Sequence, residues 1–204
     1  MNIDIITNWS DGDVRPINNF NISEYLGLNV NNKIVIGFAG NLGRVQGILE
    51  FIELFKMSKN SNLVFIIIGD GALKSKIQEN IKNLSNIYYL GVKGRSEQNY
   101  FLNACHIGLI TLKSGMKGLG VPSKTYNLMA AGKPLLFIGD KKSEIDNYIN
   151  FFECGWSFSW EKENEIISFL SELSKESLKN ITQKGYNSIV ASENFRKDKI
   201  LNLF

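Results

Sequence analysis

The sequence predicts an α/β fold, a doubly wound parallel sheet with helices on both faces and further helices towards the C-terminus. Three observations carry that prediction. Short β-branched runs recur along the chain, a segment of helical period follows each, and the runs are apolar throughout instead of alternating. Strands apolar on both faces belong in a parallel sheet that helices cover on each side.

In chain order, the strand runs are Lys33 to Phe38, Asn62 to Ile68, Asn86 to Leu90, Ile107 to Thr111 and Pro134 to Ile138. Val45, Ile48, Leu49, Ile52 and Phe55 recur at helical spacing and predict one apolar stripe on a helix, expected after the second strand. Leu73, Ile77, Ile81 and Leu84 predict another. Ser143-Glu144-Ile145-Asp146 reads as a capping box that opens a further helix. Beyond Trp156 to Trp160 no strand-like run follows, and the stretch from about Glu161 is expected to form covering helices. Phe195, Ile200, Leu201 and Phe204 are placed on a last helix whose apolar side is expected to be loose and prone to self-association.

With 204 residues and no repeat or Pro-rich linker, a single domain over 1–204 is expected. The net charge of +3 is too small to predict a nucleic-acid binder. No apolar run approaches the roughly 18 to 20 residues of a membrane helix. The start lacks a basic segment and a long apolar one, so no secretory signal is expected and the cytoplasm is the expected location. Cys105 and Cys154 lack metal-ligand spacing and read as reduced core thiols. The one histidine, His106, precedes an apolar run and reads as structural, which leaves little room for His-dependent catalysis or a His-rich metal site.

In open α/β sheets ligands bind beyond the carboxyl ends of the strands, so the turns there carry most weight. Gly37 to Gly47 runs through closely spaced glycines into a helix and reads either as tight packing or as a phosphate cradle. It does not spell G-x-G-x-x-G. Gly69-Asp70-Gly71 reads as a structural turn. The third turn, Lys117 to Pro134, offers glycines for close backbone approach, Pro122 for the first helical turn, and Ser123, Lys124 and Asn127 on one helix side. A diphosphate with an adjoining ribose would suit that set. Lys113 to Lys142 holds six lysines and one acid, Asp140, and of the six Lys124, then Lys117, are the candidates for ligand contact.

The ordered set Thr7-Asn8-Trp9, Gly40-Asn41-Leu42-Gly43, Gly69-Asp70-Gly71, Tyr89-Leu90-Gly91, and Gly120-Val121-Pro122-Ser123-Lys124 running into Met129-Ala130-Ala131-Gly132-Lys133-Pro134 resembles the C-terminal, nucleotide-sugar-binding domain of family-four retaining glycosyltransferases. These have the GT-B fold, two Rossmann-like halves facing across a cleft, and the likeness is greatest to bacterial enzymes of O-antigen, capsule or other surface polysaccharide synthesis. The resemblance implies that the N-terminal acceptor domain is absent from this chain, with Ile3 to Trp9 looking like the interdomain crossover. It further implies that Gly40, Asn41 and Gly43 face the donor diphosphate, that Gly91 to Lys93 lie near the base, and that Gly118 and Gly120 approach the sugar or phosphates. Ser123 and Asn127 would hold ribose and diphosphate.

The sequence departs from the family at several of these positions. The family's two acidic residues eight apart fall on Leu119 and Asn127, and its first-loop Arg and Lys fall on Asn41 and Gln46. Arg44 and Lys124 are the replacements expected to act on the departing diphosphate. No metal and no other cofactor is expected, with a UDP-sugar as donor and a lipid-linked saccharide as acceptor. The implied partners are that acceptor domain or a partner subunit, and any membrane contact would be peripheral, at the inner face of the plasma membrane. The chain alone is expected to bind donor without turnover. The alternatives are a donor-binding subunit of a split glycosyltransferase, an NAD-dependent oxidoreductase of the same sheet architecture, and a nucleotide-sugar epimerase.

Overall fold

The computed structural model describes residues 8–119 and 122–196. Within them the elements run α1 (Ile22–Leu26), β1 (Ile34–Ala39), α2 (Ile48–Met57), β2 (Leu63–Ile68), α3 (Lys74–Ile81), β3 (Ile87–Tyr89), α4 (Gln98–Asn103), β4 (Ile107–Thr111), α5 (Lys124–Ala130), β5 (Leu135–Ile138), α6 (Glu144–Phe152), β6 (Gly155–Phe158), α7 (Glu163–Glu172) and α8 (Leu178–Ser192). Among the described residues the strands form one sheet in the order β3-β2-β1-β4-β5-β6, every pair parallel. The expected doubly wound architecture is present.

The continuous apolar runs are explained by what covers them. β2, β4 and β5 are buried at every position, and β1 at all but Ala39. Alternate residues serve opposite faces: Ile34, Ile36, Phe65 and Ile67 pack in one core with α2, α3 and α7, whereas Val35, Val64 and Ile66 point to the other face with Ala104 and Cys105. Phe137 and Leu135 join Tyr126, Met129 and Ile149 of α5 and α6 on that second face. Full burial of each such side chain contributes about 1.5–3 kcal/mol, so the two cores rather than any helix propensity hold the layers together.

Three boundaries differ from expectation. The helix carrying Ile48, Ile52 and Phe55 follows β1, the first described strand, and Val45 lies before it in an exposed turn. Pro122 precedes the N-cap Ser123 instead of opening the helix, although its carbonyl accepts from Thr125 N–H at 3.0 Å. Ser143 does accept from Asp146 N–H, at 3.4 Å, but the Asp146 carboxylate returns to Lys142 N–H, so the box is only half made. Phe195, expected to be loose, is buried against the rings of Tyr126 and Tyr148 in a short 3-10 turn. Ile3 to Thr7, Gly120, Val121, Ile200, Leu201 and Phe204 lie outside the described residues. Cys105 and Cys154 are free and buried, and burial pushes both thiols up to about 11.

Candidate functional site

β1 and β4 are adjacent in the sheet, and the helices that follow them pack on opposite faces. Their carboxyl ends therefore diverge into a crevice, the expected place for a ligand. A cleft of about 340 Å³ opens there, with Phe38 and Ala39 of β1 on one side, Ile110 and Thr111 of β4 on the other, and Ser123 and Lys124 at the rim. A chamber of about 180 Å³ lies beside it, lined by Gly40, Gly69, Lys93, Gln98, Lys124 and Asn127 among others. Lys124 borders both.

The loops at this edge are built for close approach. A Cβ on Gly69, whose φ is +139°, would lie 1.8 Å from the Gly40 carbonyl oxygen, so only glycine fits. Leu42 N–H donates to the Asp70 carbonyl at 2.7 Å and Leu73 N–H to the Leu42 carbonyl at 2.9 Å. The Gly-Asp-Gly turn is thus structural, and it fastens the Gly40–Gly43 loop from behind. The N–H groups of Asn41, Gly43 and Arg44 donate to no acceptor among the described residues. That part of the loop retains anion-binding capacity.

Gly40 explains the position of Lys124. A Cβ there would stand 1.7 Å from the Lys124 Nζ, so the glycine makes the space that the ammonium fills. The Nζ also lies 5.8 Å from the centroid of the Phe38 ring. Burial pulls the Lys124 amine down to about 8, and no carboxylate among the described residues pairs with it. An anion brought into the cleft would stabilise the charged form. The Thr111 hydroxyl, on the same wall, is buried without a hydrogen-bond partner.

The other expected site residues scatter more widely. Arg44 is exposed on the turn after β1 and borders neither cavity. Asn41 is exposed and Gly43 sits beside it. The Gly91 carbonyl accepts from Gly69 N–H at 2.9 Å, and Lys93 lines the chamber while lying 4.0 Å from Glu97. Gly118 and Lys117 line a separate hollow of about 210 Å³, where Asp140 accepts from the N–H groups of Gly115 and Lys117 and shapes the loop. Leu119 is 73% exposed. Lys113 pairs with Glu50 and Lys141 with Asp146, so these two lysines are committed elsewhere.

Asn127 lines the chamber, but one edge of its amide is already engaged. Its Nδ2 donates to Asp11 Oδ2 at 2.9 Å, and its Oδ1 accepts from Asp11 N–H at 2.7 Å. Gln98 Nε2 donates to the same Asp11 oxygen at 2.9 Å, and Arg95 Nη2 to the other at 3.1 Å. Sequence reading missed Asp11 and Gln98, because contacts between residues 116 and 87 positions apart leave no periodic signal. His106 does read correctly as structural: its Nδ1 accepts from Val35 N–H at 3.0 Å, and burial lowers it to about 4. Among the described residues no three His, Cys, Asp or Glu side chains cluster for a metal, and no helix is long and apolar enough to cross a membrane.

Residues 24–188 match the family model of glycosyl transferases group 1. The chain is 34% identical to the probable glycosyltransferase WbjE of Pseudomonas aeruginosa, over 93% of this chain and 50% of that protein. It is 25% identical to the putative colanic acid biosynthesis glycosyl transferase WcaI of Escherichia coli K12, over 74% of this chain and 38% of that one. It thus spans half or less of the length of these curated relatives. The crystal structure of Anabaena Alr3699/HepE in complex with UDP-glucose superposes with a TM-score of 0.78 at 17% identity, over 98% of this chain and 55% of that chain. With the family model matching residues 24–188 and the parallel sheet opening a cleft at its switch point, the chain belongs to the glycosyl transferases group 1 family.

Proposed function

We propose that this domain binds a nucleoside diphosphate sugar, a UDP-sugar by preference, and forms the donor side of a retaining glycosyltransferase of bacterial surface polysaccharide synthesis. The observation that carries the reading is Lys124, a desolvated ammonium without a carboxylate partner, at the mouth of the β1/β4 crevice beside uncommitted loop amides. The UDP-glucose held by the HepE structure and the biosynthetic role in the name of WcaI support it.

In this reading the ammonium and the loop N–H groups face the diphosphate. As the bond from the anomeric carbon to the phosphate oxygen breaks, negative charge grows on the leaving group, and a positive, partly dry surround stabilises it. The positive charge comes from the protein itself, so no metal is required. Arg44, at the exposed turn, would have to swing inward to assist. Activation of the acceptor hydroxyl belongs to a facing domain or partner subunit, and the chain alone is expected to bind donor without transferring it. The place of action is the cytoplasm, at most peripherally at the membrane.

Calorimetric titration with uridine, guanosine and adenosine diphosphates and NAD, without metal, tests the reading. Binding of one diphosphate, weakened by about 1–3 kcal/mol in Lys124→Ala, is expected. NAD binding with no diphosphate bound even at millimolar concentration would overturn it.

A further inference from the structure

We infer that Asp11 is a positioning residue of this site, setting which hydrogen-bonding groups the chamber wall presents to a ligand. The inference rests on the nucleotide reading above.

Gln98 and Asn127 both line the chamber that Lys124 borders. Primary amides are ambiguous walls, since each can rotate to exchange its donor and acceptor ends. Asp11 removes the ambiguity. Its two carboxylate oxygens accept from Arg95, Gln98 and Asn127, and its backbone N–H donates. Asn127 must therefore turn Nδ2 towards Asp11 Oδ2 and Oδ1 towards Asp11 N–H, and Gln98 must turn Nε2 towards the same Oδ2. The Gln98 carbonyl, with no donor among the described residues, and the second Asn127 N–H remain for a ligand. The wall thus offers one acceptor and one donor in a set arrangement. Arg95, 85% exposed, offsets the Asp11 charge from the solvent side, so the carboxylate need not oppose an anion near Lys124.

Two variants separate orientation from mere attachment. Asp11→Asn offers one acceptor and one donor where the carboxylate offered two acceptors, so Asn127 or Gln98 must turn or lose its partner. The same Asp11→Asn change in an Asn127→Ala, Gln98→Ala background finds no amide left to turn.

With UDP as probe in calorimetry on the 204-residue chain, Asp11→Asn is expected to weaken binding about 3- to 10-fold. In the Asn127→Ala, Gln98→Ala background the same change is expected to leave UDP affinity as it was. Unchanged UDP affinity in a folded Asp11→Asn variant would overturn the inference. So would an equal further loss in the Asn127→Ala, Gln98→Ala background, since Asp11 would then act on the ligand other than through these amides. A wild-type chain that binds no nucleoside diphosphate would instead sink the nucleotide reading and the positioning role with it.

Discussion

Lys124 and Lys133 come from one lysine-rich stretch, are both half-buried, and both have an amine lowered by desolvation, yet they sit at opposite edges of the sheet. Lys133, before β5, donates to the Asn103 carbonyl at 3.3 Å and lies beside His106. Lys124, beyond the ends of β1 and β4, meets a glycine, an aromatic face and a cleft, with no protein acceptor among the described residues. Partial burial alone therefore does not single out the lysine that faces the cleft. The distinguishing feature is that one edge supplies the ammonium with a carbonyl and the other leaves it for a ligand.

The sharpest test of the difference between the edges is steric. Gly69→Ala at the site edge drives a Cβ against the Gly40 carbonyl, whereas Gly132→Ala at the other edge, with φ +69°, meets side chains no closer than 3.2 Å. Denaturant unfolding is expected to show a loss of about 4 kcal/mol or more for the first and about 1–2 kcal/mol for the second. Equal losses would remove the distinction.

The Lys133 edge should also respond to acid. His106 is neutral in the fold with its titration lowered to about 4 from 6.5. Its contribution is complete above pH 6.5 and disappears as pH falls through about 4, amounting to roughly 3 kcal/mol. Melting at stepped pH should show this loss, and His106→Gln should flatten it.

Ligand binding should separate the two lysines next. Lys124→Ala is expected to weaken diphosphate binding by about 1–3 kcal/mol, and Lys133→Ala to change it by less than about 0.5 kcal/mol. Equivalent effects in titration would mean that the cleft is not the binding place. The smallest effect is on pH. With Lys124 near 8, diphosphate affinity should be level below pH 8 and fall above it, by at most about tenfold per unit, and Lys124→Arg should move the fall to higher pH.

Much of this molecule was legible in the residues. Leu63 to Ile68 reads as a strand because both of its faces are covered, so no polar position interrupts it. Ile48, Ile52 and Phe55 read as a helix because they share one buried stripe. Val45 misled, since it continues the spacing but sits in a turn that Gly47 separates from the helix. The place of Lys124 at the carboxyl edge was legible because strand, glycine loop and helix start are contiguous in sequence. Asp11 was not, since its partners come from other elements far along the chain.

Local pattern was enough to settle β1 to β5, the helices α2, α3 and α6, the two-faced burial of the sheet and the turns at its carboxyl edge, because periodicity and glycine placement act over a few neighbouring residues. Long-range packing was needed to select which of six lysines loses its water without gaining a protein acceptor, and which way Asn127 and Gln98 face. Desolvation and hydrogen-bond partnership depend on what packs around a group, and those neighbours are supplied by distant parts of the chain.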